Sequence, residues 1–145
     1  MNMFWTIRRS FRAYVESAGG DVSVQHPAES DGEGFAFPGV VEGENWHFSG
    51  AVTFRAHGGM LAVTLAEPAI EWSGLTGELS AATALDGSGP RTVLARVSAA
   101  TAAHRMDLEP RLTVLGARLF GDVYPPGDAL DRLRIDPRGQ DNAGH

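Results

Sequence analysis

The chain has 145 residues, 43% of them hydrophobic and 21% charged, with a formal net charge of −6 and no cysteine. That length suits one domain with a single core, and the missing cysteines exclude a disulfide framework, thiolate metal sites and c-type haem attachment. All 12 basic side chains are arginine, and the acidic balance argues against a nucleic-acid surface.

No stretch approaches the roughly 18 apolar residues needed to span a bilayer. No apolar run follows Arg8-Arg9, so neither a signal peptide nor an anchor is read. The expected compartment is cytoplasmic as written, or extracellular or cell-surface if this is a domain excised from a larger exported protein.

In chain order, Phe4, Ile7, Phe11, Tyr14 and Val15 recur at the three- and four-residue spacing of one helical stripe. They predict a helix from Met3 to Ser17, with Asn2 as N-cap and Gly19-Gly20 as the stop. Ser10 and Tyr14, one turn apart, stack at the edge of the apolar face. A phenol so placed is ordinarily a core tyrosine with one hydrogen bond. It is also an oxygen donor suited to ferric iron.

The polar segment from Asp21 to Gly34 carries a short strand at Val22 and Val24, and Phe35 to Pro38 alternates before a breaker. The clearest predicted strand runs from Trp46 to Arg55, with Trp46, Phe48, Val52 and Phe54 on one parity. Gly58-Gly59 is a hairpin signal. The returning strand, Met60 to Ala66, is broken at Pro68, and Ala69 to Trp72 forms another. Ser73-Gly74 turns the chain, Glu78 to Thr83 is a weaker strand, and Asp86 to Pro90 is a loop. Arg91 to Ser98 alternates with Val93, Ala95 and Val97 inward. Strands are expected at Arg111 to Leu115 and Ala117 to Phe120, kinked at Gly116, and a short helix from Asp128 to Leu133. These elements predict a mostly β fold, an antiparallel β-sandwich or open barrel with an N-terminal helix and a short C-terminal helix. One domain is expected over residues 1–136, with residues 137–145 a disordered polar tail.

Standard catalytic signatures are missing. The segment Gly39 to Gly50 lacks the lysine of a phosphate loop, and no HExxH or GxSxG pattern occurs. The five histidines, His26, His47, His57, His104 and His145, include no pair at zinc-ligand spacing. His57 closes the strongest strand directly before Gly58-Gly59. Such a histidine is ordinarily a surface residue. It acquires a partner if the N-terminal helix packs across the mouth of the sheet, where Tyr14 and His57 can meet.

Five segments in this order give the chain a likeness. They are Trp5 with Ser10-Phe11-Arg12-Ala13-Tyr14-Val15; Phe35-Ala36-Phe37-Pro38; the hairpin from Phe48 to Leu61; Glu67-Pro68-Ala69-Ile70-Glu71; and the stretch from Phe120 to Asp131. Together they resemble the HtaA family of bacterial haem-binding domains, used in haem uptake by Gram-positive bacteria with a mycolic-acid envelope. The resemblance covers roughly Trp5 to Ile135. It implies that Tyr14 binds the iron of ferric haem b, that His57 hydrogen-bonds Tyr14, and that Ser10 contacts a propionate. Tyr124 matches an aromatic position near the pocket. Two departures stand out: family members typically carry a signal peptide, and the usual Phe-Tyr pair is here Val123-Tyr124.

A phenolate is a hard anionic donor that favours ferric over ferrous iron. Ionising a free phenol at pH 7 costs about 4 kcal/mol, which bonding to ferric iron offsets and a neighbouring histidine lowers. Phe11, Met60, Phe35 and Phe120 are candidate pocket walls, with plain core packing as the alternative. Arg8, Arg9, Arg12 and Arg55 read as solvated faces rather than propionate clamps. The resulting expectation is a non-enzymatic protein for haem transport, storage or transfer, whose partners are haem and another haem-transfer protein. A homodimer stays open, and no nucleic-acid partner or membrane span is expected. The competing readings are a haem-using enzyme, either a peroxidase or a haem-degrading protein, and a β-rich interaction domain that has lost haem.

Overall fold

The computed structural model describes residues 1–137, so the tail expected at the C-terminus lies outside the described residues from residue 138 onward. The elements are β1 (Asn2–Trp5), α1 (Arg9–Ser17), β2 (Asp21–Gln25), β3 (Glu29–Ser30), β4 (Phe35–Glu42), β5 (Asn45–Phe48) and β6 (Ala51–Ala56). They continue with β7 (Leu61–Ser73), β8 (Thr76–Ala82), β9 (Arg91–Ser98), β10 (Asp107–Leu108), β11 (Arg111–Leu112), α2 (Val114–Leu119) and β12 (Leu133–Asp136). The strands form a curled antiparallel sheet in the order β10-β12-β1-β4-β5-β7-β8-β9-β11, with β3 on β4, β6 on β7 and β2 on β6. The fold is therefore mostly β with two short helices, one of them N-terminal. No helix among the described residues is long and apolar enough to cross a membrane.

The sheet curls because β4 and β7 each change partners along their length. Phe35 to Pro38 pairs with β1, and Gly39 to Glu42 with β5. β7 pairs with β6 from Leu61 to Ala66 and, beyond Pro68, with β5 on that edge, while β8 pairs along the other edge from Ala66 onward. Pro68 does not end the strand as expected; it sits at a register shift between Ala66 and Ala69, where the ladder has no use for its missing N–H. Glu67 takes φ +49° there. Its N–H donates to the Gly50 carbonyl at 2.8 Å, and its carboxylate accepts from the Gly50 N–H at 2.6 Å. Gly50, at φ +106°, splits the expected Trp46–Arg55 strand into β5 and β6, and a Cβ there would lie 2.4 Å from the Ala28 nitrogen. The parity nevertheless holds: Trp46, Phe48, Val52 and Phe54 are all buried.

Three further segments differ from expectation. Residues 2–5 are strand rather than helix, because Met3 and Trp5 fill the core between β12 and β4. Phe4 points to the other face, beneath the Arg134 guanidinium. Of the strands expected around Gly116, only Arg111–Leu112 forms one, as β11 on β9. The rest is α2, capped by the Thr113 hydroxyl, which accepts from the Gly116 N–H at 3.0 Å. Gly116 has no Cβ because one would lie 2.0 Å from the Leu94 carbonyl oxygen of β9. Finally, Asp128 to Leu133 is not helical. The second short helix is α2, and Leu133 opens β12, pairing with Trp5.

Candidate ligand-binding site

Helix α1 begins at Arg9 after Ile7 takes a left-handed φ of +63°, an uncommon conformation for a β-branched residue. Arg8 stands at the N-cap position without a capping side chain, so the first N–H groups need a partner from elsewhere. Asp131 supplies it. Its carboxylate accepts from the Arg9 N–H and the Thr6 hydroxyl, both at 2.7 Å. Its N–H donates to the Ile7 carbonyl, and its own carbonyl accepts from the Trp5 indole. The helix thus leaves β1 at an angle fixed by the closing segment of the chain.

The far end of α1 is a Schellman turn. The Gly20 N–H bonds the Val15 carbonyl and the Gly19 N–H bonds that of Glu16, with Gly19 at φ +77°. Gly20 then passes so close to β6 that a Cβ would lie 2.0 Å from the Arg55 carbonyl oxygen, and Asp21 pairs with Arg55 in the sheet. This places the exposed edge of α1 beside the end of β6, two residues before His57. Phe11 and Val15 fill the inner face. The Phe11 ring meets Phe54 and Phe120 edge-on at 5.2 and 5.0 Å.

Tyr14 and His57 do meet. The Tyr14 phenol oxygen lies 2.8 Å from His57 Nε2, and their ring centroids are 5.8 Å apart. His57 is held at the tip of the β6–β7 hairpin in a left-handed conformation, φ +55°, with its carbonyl accepting from the Met60 N–H. Tyr14 is 38% exposed and Met60 92%, so the pair sits on an open surface.

One turn earlier on the helix, Ser10 Oγ lies 2.5 Å from the Tyr124 hydroxyl. Tyr124 arrives there because α2 also ends in a Schellman turn, with Gly121 and Asp122 bonding the Arg118 and Ala117 carbonyls. A Cβ at Gly121 would lie 3.1 Å from Leu61 Cδ1, so this loop rests against the hairpin that carries His57. The Arg8 guanidinium lies 4.4 Å from the Tyr124 ring centroid, and its Nε donates to Ser10 Oγ at 3.1 Å. Arg8 is therefore not the solvated residue expected from the sequence.

All four site residues read from the sequence thus gather on one helix edge and the two loops beside it. The expected walls divide. Phe11, Phe35 and Phe120 are core residues, and Met60 projects from the hairpin tip. Arg8 and Asp131 were missed as site-forming residues; the sequence signal was a helix start without its own cap. A separate groove of about 680 Å³, lined by residues including Trp5, Arg9, Asp31, Phe35 and Asp131, contains neither Tyr14 nor His57. There the Asp31 carboxyl is held below its ordinary value by the Gly34 and Glu33 N–H groups. Among the described residues no three His, Asp or Glu side chains gather as a metal site.

A family model for HtaA ("Htaa") matches residues 1–136. The chain belongs to the HtaA family. Two solved HtaA domains from Corynebacterium glutamicum are each 26% identical to it. The C-terminal domain has a TM-score of 0.72, covering 91% of this chain and 92% of that one. The N-terminal domain has a TM-score of 0.73, covering 92% and 93%. The heme binding protein HtaB of the same organism shares the fold at 19% identity, with a TM-score of 0.77 and coverage of 92% and 89%. A domain-swapped dimer of a C-terminal HtaA domain variant is also similar, at a TM-score of 0.61 and 26% identity. The comparison with curated proteins gives no match. This HtaA domain shares its fold with those structures.

Proposed function

We propose that this HtaA domain binds ferric haem b through Tyr14 and serves in haem transport, storage or transfer rather than in catalysis. The observation that carries the reading is the Tyr14–His57 hydrogen bond of 2.8 Å on an exposed helix edge. A phenol needed only for packing would be buried; this one presents its oxygen outward, with an imidazole already in contact. Family membership and the name of the fold relative HtaB, a heme binding protein, support the same ligand.

The donor set fits the group. When bound, haem supplies a ferric centre that favours a hard anionic oxygen donor. Tyr14 offers such an oxygen once its proton leaves. His57 Nε2, at hydrogen-bond distance, takes that proton or donates back to the phenolate, lowering the cost of ionisation. Ser10 and Tyr124 present hydroxyls to ligand carboxylates, and Met60 and the 40% exposed Val123 offer apolar surface. An open face suits a ligand that has to be handed on.

The test is a haemin titration followed by absorption spectroscopy. A saturable Soret shift at one equivalent, together with a ferric-tyrosinate charge-transfer band and no peroxide turnover or haem breakdown, is the expected result. Peroxidase activity or conversion to bilin would favour the enzyme reading, and no saturable shift would favour an interaction domain without haem.

A further inference from the structure

The arginine at the entry to α1 is bound up with the site in a way none of the other arginines is among the described residues. Arg9 lines the separate groove, Arg12 lies over the Phe35 ring, and Arg55 is exposed on β6. Arg8 alone touches two of the four site residues: its Nε–H donates to Ser10 Oγ, and its guanidinium lies against the Tyr124 ring. The side chain is 27% exposed, so it is partly shielded from water but still reachable.

A guanidinium has five N–H groups in a planar fork. Here Nε–H goes to Ser10 and one Nη1–H to the Ala129 carbonyl. The nearest anion, Asp128 Oδ2, stands 3.7 Å from Nη2, too far for a hydrogen bond. The fork is thus hydrogen-bonded only to neutral partners, with the Asp128 carboxylate beside it at ion-pair distance, and Nη2 keeps its donors in hand. Its bond to Ser10 also occupies a lone pair of the serine oxygen. This leaves the serine and tyrosine hydroxyl protons to run from Ser10 to Tyr124 and outward, or the reverse. In either direction the short 2.5 Å Ser10–Tyr124 contact ends in a free O–H beside a cation. That combination receives a carboxylate, which shares the guanidinium with Asp128.

Resting on the haem reading above, we infer that Arg8 is a specificity-determining residue, which makes this site prefer a porphyrin bearing free carboxylates over a neutral one. It acts on the carboxylate end of the ligand, not on the iron, so the tyrosinate chemistry at Tyr14 is independent of it.

The experiment compares haemin with its dimethyl ester, both titrated into wild type, Arg8→Gln and Arg8→Lys. Wild type is expected to bind haemin more tightly than the ester. Arg8→Gln should weaken haemin about tenfold, the effect of one charge-assisted contact, and leave the ester within about twofold, so the preference narrows. Arg8→Lys, which keeps the charge but not the fork, should restore part of it. The tyrosinate band should persist in all three, a readout that collapse of the helix would remove. Equal binding of the two ligands by wild type overturns the inference without any variant. So does an equal loss for both ligands in Arg8→Gln, which would mean that Arg8 only braces Tyr124. Failure of wild type to bind haemin at all would instead sink the haem reading itself.

Discussion

Tyr14 on the first helix and His57 at a hairpin tip, 43 positions apart in sequence, share a 2.8 Å hydrogen bond on an exposed face of the protein. Neither side chain is needed to fill the core, so the contact stabilises the fold by no more than about 1 kcal/mol. His57→Ala is therefore expected to leave the melting temperature within about 4 °C of wild type. Haem should leave it faster, by about tenfold if one hydrogen bond to the bound phenolate is lost. Stopped-flow transfer to an excess of apomyoglobin measures that rate. An unchanged rate would show that His57 does not assist Tyr14.

The Ser10–Tyr124 pair divides differently between stability and binding. Ser10 is exposed, whereas Tyr124 is 9% exposed and packs beside Phe11. Ser10→Ala should have a small effect on haemin affinity, within about threefold, and almost none on stability. Tyr124→Phe keeps the ring packing and should behave similarly, while Tyr124→Ala should cost about 2–4 kcal/mol in denaturant unfolding. A Tyr124→Phe variant as unstable as Tyr124→Ala would assign the residue's importance to its hydroxyl rather than its ring.

Phe11 separates core from pocket. It is fully buried between Phe54 and Phe120, so Phe11→Ala should destabilise the protein by about 3–5 kcal/mol. Phe11→Leu should cost about 1 kcal/mol and retain haem binding. Selective loss of haem from a stable Phe11→Leu variant would place the ring in the binding face after all.

Asp131 tests how the helix is aimed. Its carboxylate accepts from Thr6 and from the Arg9 N–H, the place of an N-cap filled from 122 residues away. Asp131→Ala should cost about 1–2 kcal/mol, and Asp131→Asn, which keeps an acceptor, less than half of that. Urea unfolding of the two variants decides it, and equal losses would mean that the backbone bonds of residue 131 do the aiming alone.

These contacts also mark what could be read from the sequence. The inward parity of Trp46, Phe48, Val52 and Phe54 survived folding because it is a local property of a strand. The alternation expected from Arg91 to Ser98 instead broke at a register shift that buries Leu94 and leaves Val93 half-buried. Glu67 and Gly50 were not legible as partners, since a bulge on one strand meeting a kink on another is a long-range event. The spacing Phe4–Ile7–Phe11 imitated a helix. Its first member belongs to β1 and Ile7 to the left-handed link before α1, because Met3 and Trp5 gain more by filling the core than residues 2–5 do by helix propensity. Gly116 read as a strand kink, yet it marks where α2 touches β9. For the site, the four candidate residues came from type, spacing and family likeness, and the fold brings them together in two hydrogen-bonded pairs. The companions that aim them, Arg8 and Asp131, depend on the closing segment returning to the start of the chain.

Tyr14→Phe removes the oxygen proposed to bind haem iron while keeping the ring and its contact with Phe11. Resonance Raman and absorption spectra of the haemin-loaded wild type should show tyrosinate modes and a charge-transfer band, both lost in Tyr14→Phe, while Ser10→Ala retains them. Persistence of the same modes in Tyr14→Phe would contradict the account.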